Sequence, residues 1–212
     1  MRAHDKVGRY AVLLAYRNLP FFARVFVFLR LLILPLEEVE QLVLAGTVLD
    51  IGCGYGLLSH YMAQRDMRRT VVGIERDPLL VARANATVSA SEKLVFIEGD
   101  AATIALDAYD CIVMCDLLHH LPAGAQERLI RVAREALNPR GRIIIKDIEK
   151  ENMPYYYWNL FHDRVMRLSG PTFHRSADEW GVMLRGHGLR LVEIRHFYHL
   201  LYHHVCIVAE KE

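Results

Sequence analysis

The sequence of 212 residues predicts an α/β fold, in which a mixed sheet of seven strands carries helices on both faces and is preceded by a helical cap. From residue 47 onwards, short apolar runs rich in Val and Ile alternate with helix-like segments, a pattern typical of parallel strands joined by right-handed crossovers. The runs are continuously apolar, as strands covered on both faces are. The last two runs are separated only by YHLL (198–201), which is too short for a crossover helix, so they are predicted to form an antiparallel hairpin.

The individual elements follow from the same alternation of apolar runs and helix-like segments. The predicted strands are 47–51, 70–75, 93–98, 109–115, 141–148, 189–197 and 202–209. The predicted helices between the first five strands are 56–65, 78–88 and 122–137. Residues 1–45 are predicted to form an N-terminal helical cap or lid, residues 46–212 the main domain, and residues 149–187 a long helical insertion before the sixth strand.

Length, composition and cysteine content narrow the class of protein. The chain is 53% hydrophobic and 24% charged, which is typical of a globular protein with a substantial core. A net charge of only +1 argues against a chain built to bind polyanions. The four cysteines form no CxxC pair and no zinc-like spacing with histidine, so we expect reduced thiols, no metal site and a cytoplasmic protein. The most apolar stretch, 21–34, contains two arginines and is too short to span a bilayer.

A glycine-rich loop follows the first predicted strand, where VLDIGCGYG (48–56) contains Gly52, Gly54 and Gly56. Glycine permits positive φ and lets a ligand approach the backbone closely. A dinucleotide-binding fold requires GxGxxG at this turn, to place a pyrophosphate at the helix N-terminus. Here the third glycine comes one residue early, and the carboxylate of Asp50 beside the loop would repel a pyrophosphate. Both features argue against a dinucleotide.

Further motifs follow the next strands, and together with the loop they resemble the class I S-adenosylmethionine-dependent methyltransferases. The resemblance covers about residues 47–210 and is to the small-molecule branch, which includes short bacterial members. It implies a Rossmann-like sheet in the order 3-2-1-4-5-7-6, S-adenosylmethionine as cofactor, S-adenosylhomocysteine as product, and a cofactor-binding domain over 46–212. In the last motif, Pro139 and Gly141 are expected to build a turn. The motifs are VLDIGCGYG, VVGIERD, FIEGDA, YDCIVMCDLLHHLP and ALNPRGRIIIKDI.

The resemblance assigns contacts to the cofactor at the ends of successive strands. Glu75 would accept hydrogen bonds from both ribose hydroxyls, since a carboxylate can accept two O–H donors at once. Asp100 would hold the adenine amino group, Ala101 would leave room for the ring, and Asp50 suits the ammonium group of the methionine part. The predicted cofactor-binding residues are Asp50, Gly52, Gly54, Gly56, Glu75, Arg76, Asp100, Ala101 and Asp116.

His119 and His120, which follow the fourth predicted strand, are the predicted catalytic residues. Methyl transfer is an in-line displacement that depends on positioning and desolvation, but a hydroxyl acceptor must also lose its proton, and histidine is the usual base. Both residues lie at the carboxyl end of a parallel strand, where open α/β sheets bind ligands. Either one is a candidate base. In the alternative interpretation they orient the loop and cap the next helix.

The predicted substrate pocket combines the fifth strand, the insertion and the hairpin. Lys146 lies in the C-terminal half of the fifth strand, on the side of the site. Tyr155, Trp158 and His162 belong to an aromatic segment of the insertion, which either forms the wall of an apolar pocket or packs on the sheet. His199 belongs to a cluster of histidines and tyrosines at the tip of the hairpin.

The predicted reaction is O-methylation of an apolar small molecule or a lipid-linked acceptor, with carbon and nitrogen acceptors left open. Residues 1–36 contain six Lys or Arg against one Asp, so this segment is a lid, a contact to an anionic membrane surface, or a dimer interface, and the oligomeric state is open. One alternative is a nucleic-acid or protein methyltransferase, but there is no Asn/Asp-Pro-Pro-aromatic motif after the fourth strand and no broad basic face, so no nucleic-acid partner is expected. The other alternative is a non-catalytic, membrane-peripheral protein that binds the cofactor.

Overall fold

The computed structural model describes residues 3–88, 93–148, 172–199 and 202–212, with the side chains of these ranges except at 3–7, 199 and 202. The helices are α1 (Ala3–Ala15), α2 (Phe21–Ile33), α3 (Leu36–Glu40), α4 (Leu57–Arg65), α5 (Pro78–Asn85), α6 (Ala123–Glu135) and α7 (Ala177–Gly186), with a 3-10 helix at Leu118–His120. The strands are β1 (Gly46–Ile51), β2 (Arg69–Glu75), β3 (Leu94–Glu98), β4 (Tyr109–Cys115), β5 (Leu137–Ile148), β6 (Leu189–His199) and β7 (Tyr202–Lys211).

The seven strands form one mixed sheet in the order β3-β2-β1-β4-β5-β7-β6. Strands β1 to β5 pair in parallel, whereas β7 is antiparallel to both of its neighbours, β5 and β6. The predicted α/β class, the strand order and the terminal hairpin are therefore confirmed. Because the parallel strands share one direction, their carboxyl ends meet at one edge of the sheet, and the predicted cofactor-binding residues lie at that edge with His119 and His120.

Helices cover both faces of the sheet, as predicted, and the alternation of strand side chains explains why. Val48 and Cys111 point to the face that is covered by helices α1 to α5. Leu49 and Ile112, their neighbours in the chain, point to the opposite face, which α6 and α7 cover. All four side chains are fully buried, so the central strands lose their apolar surface to helices on both sides.

Strand β5 differs from its predicted bounds. It begins at Leu137 instead of residue 141, and the register with β4 passes from Tyr109 opposite Leu137 to Cys111 opposite Arg142. The extra residues of β5 form a bulge, in which Arg140 has a φ of 63°. The predicted turn at Pro139 and Gly141 is therefore wrong, because both residues lie inside the strand. The hairpin strands are also longer than predicted, which leaves only residues 200–201 between them.

The N-terminal helices α1, α2 and α3 pack on the same face as α4 and α5. Tyr16, which follows α1 directly, donates a hydrogen bond from its hydroxyl to the carbonyl of Tyr55 in the glycine loop (2.6 Å). Arg9 of α1 pairs with Glu37 of α3 and donates to the carbonyl oxygen of Leu34. The division into residues 1–45 and 46–212 stays a prediction. Among the described residues, no helix has both the length and the apolar character that a bilayer span requires.

Candidate active site

The glycine loop connects β1 to α4 with three residues of positive φ: 74° at Gly52, 58° at Gly54 and 77° at Gly56. A Cβ added at Gly52 would lie 2.8 Å from Leu117, and one at Gly56 would lie 2.2 Å from the ring of Phe96. A Cβ added at Gly54 would meet no atom of the described residues within 4 Å. Gly52 and Gly56 therefore allow the loop to pack, whereas Gly54 presents bare backbone to open space.

Two cavities lie at the carboxyl ends of the parallel strands, with volumes of about 410 Å³ and 670 Å³. They share the wall residues Gly52, Glu75, Asp116 and His120, so the two cavities adjoin each other. Of the other predicted residues, the smaller cavity is lined by Asp50, Gly54, His119 and Lys146. The larger cavity is lined by Arg76, Asp100 and Ala101. The structure thus brings most of the predicted residues together.

Glu75 joins the end of β2 to the glycine loop. Its Oε2 accepts a hydrogen bond from the backbone N–H of Gly54 (3.1 Å). Its Oε1 accepts from the N–H groups of Arg76 (2.7 Å) and Asp77 (3.0 Å). A carboxylate offers roughly four acceptor positions, so one is left on this side chain for a ligand hydroxyl, one fewer than the predicted contact to both ribose hydroxyls requires.

Asp50 is a buried carboxyl at the base of the smaller cavity, with only 2% of its surface exposed. The hydroxyl of Ser59 donates to its Oδ2 over 2.5 Å. Burial raises the pKa of Asp50 from its ordinary 3.8 to about 6, with a further contribution from the nearby Glu75, although the Ser59 hydrogen bond opposes the shift. A buried carboxyl whose charge is this costly is stabilised by a cation placed next to it.

A buried charge cluster closes the opposite wall of the smaller cavity. Asp116, at a φ of 51°, accepts hydrogen bonds from Lys146 Nζ (2.5 Å) and from Arg30 Nη2 (2.9 Å). Burial opposes the charged form of this aspartate, but the two cations overcome it and hold the pKa of Asp116 well below its usual range. Likewise, burial disfavours the ammonium of Lys146, but Asp116 outweighs that effect and raises the pKa of this lysine. Lys146 is therefore held charged inside the protein.

Helix α2 contributes residues to the site that sequence analysis did not predict. Arg30 reaches Asp116 across 86 positions of sequence, and Phe26 packs its ring 5.1 Å from that of Tyr55 in the glycine loop. Both Arg30 and Phe26 line the smaller cavity. Helix α2 therefore forms part of the wall of this cavity. The only sequence signal was an arginine within an apolar helix, which by itself does not indicate which face is buried.

His119 forms a buried pair with Asp147 of β5. Its Nδ1 lies 2.5 Å from Asp147 Oδ1, which also accepts a hydrogen bond from the N–H of Ile148 (2.8 Å). Only 1% of His119 and 2% of Asp147 is exposed. The ring of His120 lies 3.9 Å from that of His119. The pair places a histidine of fixed orientation in the wall of the smaller cavity.

The predicted substrate pocket lies partly within the described residues. Lys146 lines the smaller cavity, as expected from its place in the fifth strand. Tyr155, Trp158 and His162 lie outside the described residues. His199 ends β6, but its side chain also lies outside the described part. His204 of β7, which was not among the predicted pocket residues, lines the smaller cavity.

Comparison with known proteins identifies similar chains and folds. A family described as "Methyltransferase domain" matches residues 48–141. The ubiquinone biosynthesis O-methyltransferase of Stutzerimonas stutzeri is 32% identical over 164 residues, which cover 73% of this chain and 69% of that relative. The corresponding enzyme of Aeromonas salmonicida is 31% identical over 124 residues, which cover 57% of this chain and 51% of that relative.

Two solved structures illustrate the similarity in fold. The pyocyanin biosynthetic protein PhzM superposes with a TM-score of 0.73 at 20% identity, over 96% of this chain and 61% of that one. Magnesium protoporphyrin IX methyltransferase from Synechocystis, solved with bound S-adenosylhomocysteine, superposes with a TM-score of 0.68 at 18% identity, over 98% and 95% of the two chains. At these identities the likeness concerns the fold.

Proposed function

Since the chain belongs to the class I S-adenosylmethionine-dependent methyltransferases, we propose that it methylates a hydroxyl oxygen of an apolar small molecule. The observation that carries this proposal is the buried pair of His119 and Asp147 in the wall of a cavity that adjoins the glycine loop. The names of the similar sequences, which are O-methyltransferases of ubiquinone biosynthesis, support an oxygen acceptor on an apolar molecule.

The residues around the two cavities fit S-adenosylmethionine. Gly54 leaves open space that a Cβ would fill, and Asp50 offers a buried carboxyl to the ammonium group. We assign the ribose to Glu75, which has one acceptor position left, and the adenine to Asp100 and Ala101 in the larger cavity. When bound, the cofactor supplies an electrophilic methyl group on a positively charged sulfur. These residue roles stay predictions.

His119 is the proposed base. Because its Nδ1 is engaged by Asp147, proton uptake takes place at Nε2, and the carboxylate stabilises the imidazolium that results. Burial of the pair excludes water that would otherwise compete for the hydroxyl proton. His120, which lines both cavities, remains the second candidate.

We expect His119→Ala to lower kcat by about 10²–10⁴-fold while the Kd for S-adenosylmethionine changes little, because the base acts only in the chemical step. Asp147→Asn should give a smaller loss of kcat, since it removes the charge that stabilises the imidazolium but keeps the shape. The measurement is transfer of labelled methyl to a panel of apolar phenols, with product identification by mass spectrometry.

His120→Ala serves as the matched variant, and undiminished turnover of His119→Ala beside a large loss for His120→Ala would move the base to His120. A product methylated on carbon or nitrogen would contradict the oxygen acceptor. Cofactor binding without transfer to any acceptor in the panel would favour the non-catalytic alternative.

Cofactor affinity should depend on pH through Asp50. Its pKa is about 6, so acidification below that value protonates the carboxyl and removes the partner of the cofactor ammonium. We expect affinity to fall by up to about tenfold per pH unit below pH 6, as linkage to one proton requires. Calorimetric titration over this range checks the slope, and Asp50→Asn should bind weakly with no such slope. A flat wild-type profile would contradict the assignment.

The raised pKa of Asp50 gives the folding stability of the unliganded chain a pH dependence opposite to that of cofactor affinity. Because the pKa of Asp50 is raised above its ordinary 3.8, the folded state binds the proton more tightly than the unfolded state does. This carboxyl therefore contributes stability at low pH that is lost as the pH rises through 3.8 to about 6. Bound cofactor should offset that loss.

We further propose that the protein is cytoplasmic and that its helix α2 contacts an anionic membrane surface. Phe21, Phe22 and Phe28 are 69%, 85% and 49% exposed, and their spacing places them on the face opposite the buried Val27. Arg24 is exposed beside them and suits anionic headgroups. The four free thiols agree with a reducing compartment. Such a contact would bring the smaller cavity close to acceptors dissolved in the membrane.

Replacing Phe21 and Phe22 together by Ser should reduce co-sedimentation with phosphatidylglycerol-containing vesicles by at least about tenfold, because two large apolar side chains no longer insert. Val182→Ser is the matched control, since Val182 is 65% exposed on α7, far from α2 in the chain. Equal sedimentation of the double variant and the wild type would contradict the membrane contact. A shift from dimer to monomer in light scattering would instead assign this face to a dimer interface.

A further inference from the structure

Three side chains with ligand atoms suited to metals converge next to the smaller cavity. One ligand atom each of His119, Asp147 and His174 lies within 4.8 Å of the other two. His119 and Asp147 are buried, and both ring nitrogens of His174 are shielded from solvent. The rings of the two histidines stack at 5.0 Å with an interplanar angle of 7°. These residues come from the 3-10 helix after β4, from the end of β5 and from the segment before α7.

A buried amide holds two of these segments together. The Nε2 of Gln126, a fully buried residue of α6, donates to the carbonyls of Leu118 and Phe173, at 2.9 Å each. The N–H of Phe173 donates to the carbonyl of His119 (2.7 Å), and the Oε1 of Gln126 accepts from Arg175 Nε (2.6 Å). The backbone on both sides of His174 is thus fixed to the segment that carries His119. The protein's own hydrogen bonds position both histidines.

We propose that His119, Asp147 and His174 bind one divalent transition-metal ion of the Zn²⁺ class. Two imidazoles and one carboxylate are the ligands that Zn²⁺, Co²⁺ and Fe²⁺ accept, whereas Mg²⁺ and Ca²⁺ prefer sites built from oxygen. The ion takes the place of the proton between His119 Nδ1 and Asp147 Oδ1, which are 2.5 Å apart, and the two groups separate as they coordinate it. The three residues, at positions 119, 147 and 174, are too far apart in the sequence to form a local zinc motif. The sequence therefore gave no indication of this cluster, and no metal site was expected.

Ion binding has a consequence for the proposed O-methylation. This consequence rests on the proposed function, whereas the ion site itself does not. With the ion on Nδ1 of His119, the proton that it displaces from Nδ1 moves to Nε2, and this histidine no longer accepts a proton from a hydroxyl. Asp147 is at the same time withdrawn from its role in stabilising the imidazolium. The ion-loaded protein is therefore the inactive form, and the ion-free pair is the active one.

The test is a Co²⁺ titration of the full chain after removal of metals by a chelator, read by visible absorption and repeated in competition with Zn²⁺. We expect one ion per chain in a mixed nitrogen and oxygen environment, and at least about tenfold weaker binding in His174→Ala. His187→Ala and His196→Ala are matched controls, because these histidines lie at the end of α7 and on the hairpin, away from the cluster, and both should bind as the wild type does. Circular dichroism establishes that each variant is folded.

Equal Co²⁺ binding by His174→Ala and the wild type would overturn the site. So would loss of binding in His196→Ala alone, because the ion would then lie at the hairpin, where the rings of His196 and His203 stack at 5.9 Å. If His174→Ala does not fold, Asp147→Asn, which keeps the side-chain shape and removes the charge, should likewise weaken binding at least about tenfold.

Methyl transfer is measured separately, so the two proposals can fail independently. If the protein methylates a phenol, Zn²⁺ should inhibit the wild type at a concentration at least about tenfold lower than it inhibits His174→Ala. Undiminished turnover with the ion bound would overturn the inhibitory role. If no acceptor is methylated, the Co²⁺ titration still decides whether the ion site exists.

Discussion

Gly54→Val abolishes S-adenosylmethionine binding while the chain remains folded: this is the expected result with the clearest structural cause. In the part of the chain that the structure describes, a Cβ at Gly54 meets nothing within 4 Å. The valine side chain therefore enters the smaller cavity, where we place the methionine part of the cofactor, and not the core. The φ of 58° costs an L-residue about 1–2 kcal/mol, which a domain of ordinary stability survives. Calorimetry measures binding, and thermal unfolding measures the fold.

Gly56→Val supplies the contrast, because a Cβ there lies 2.2 Å from the ring of Phe96 in the core. This variant should unfold at a lower temperature than the wild type, because the added side chain disrupts the core and does not enter the cavity. Gly186→Ala, at the C-terminal end of α7, has open space around its Cβ and should leave both properties unchanged. Wild-type affinity in Gly54→Val would show that the cofactor does not pass this part of the loop.

Asp116→Asn should lower the free energy of unfolding by about 3–5 kcal/mol at neutral pH, as removal of one partner from a buried ion pair does. Lys146 is 1% exposed, and without Asp116 its ammonium has lost the carboxylate that holds it charged. Burial then dominates, so the pKa of Lys146 in the variant falls below its ordinary value. The destabilisation should therefore shrink as the pH rises towards the value at which lysine is neutral in the unfolded chain.

The pH dependence separates this effect from a mere loss of packing, which would be the same at every pH. Urea unfolding at neutral and alkaline pH provides the measurement. Asp66→Asn is the control, because the partner of Asp66 is the exposed guanidinium of Arg68, and we expect little change from the loss of this ion pair. A variant Asp116→Asn as stable as the wild type would show that Lys146 finds another partner.

Those parts of the molecule that depend on local pattern were predictable from sequence. Apolar runs of strand length, separated by helix-like segments, predicted the sheet because burial on both faces demands such runs. The glycine loop, Glu75 and Asp100 were predicted to lie together because parallel strands bring their carboxyl ends to one edge. The structure confirms the strand order and places these residues around two adjoining cavities.

Contacts between distant segments were not predictable in the same way. Arg30 reaches Asp116 over 86 positions, and His119 meets Asp147 over 28, so no spacing rule connects them. The bulge in β5 was missed because Pro139 and Gly141 are also typical of turns, and it is the pairing on either side, of Leu137 with Tyr109 and of Arg142 with Cys111, that keeps them within the strand. His174 had no signal at all, because its position depends on the hydrogen bonds of Gln126.

Helix α2 has one further consequence, since a single element faces the cavity with Arg30 and carries Phe22 on its outer side. Its 13 residues form a rod of about 20 Å, too short to bend much between the two faces. If a ligand at either place shifts this helix, the binding free energies at the two places are coupled through its position. Such coupling is reciprocal: the factor by which a surface raises affinity for an acceptor is the factor by which that acceptor raises affinity for the surface.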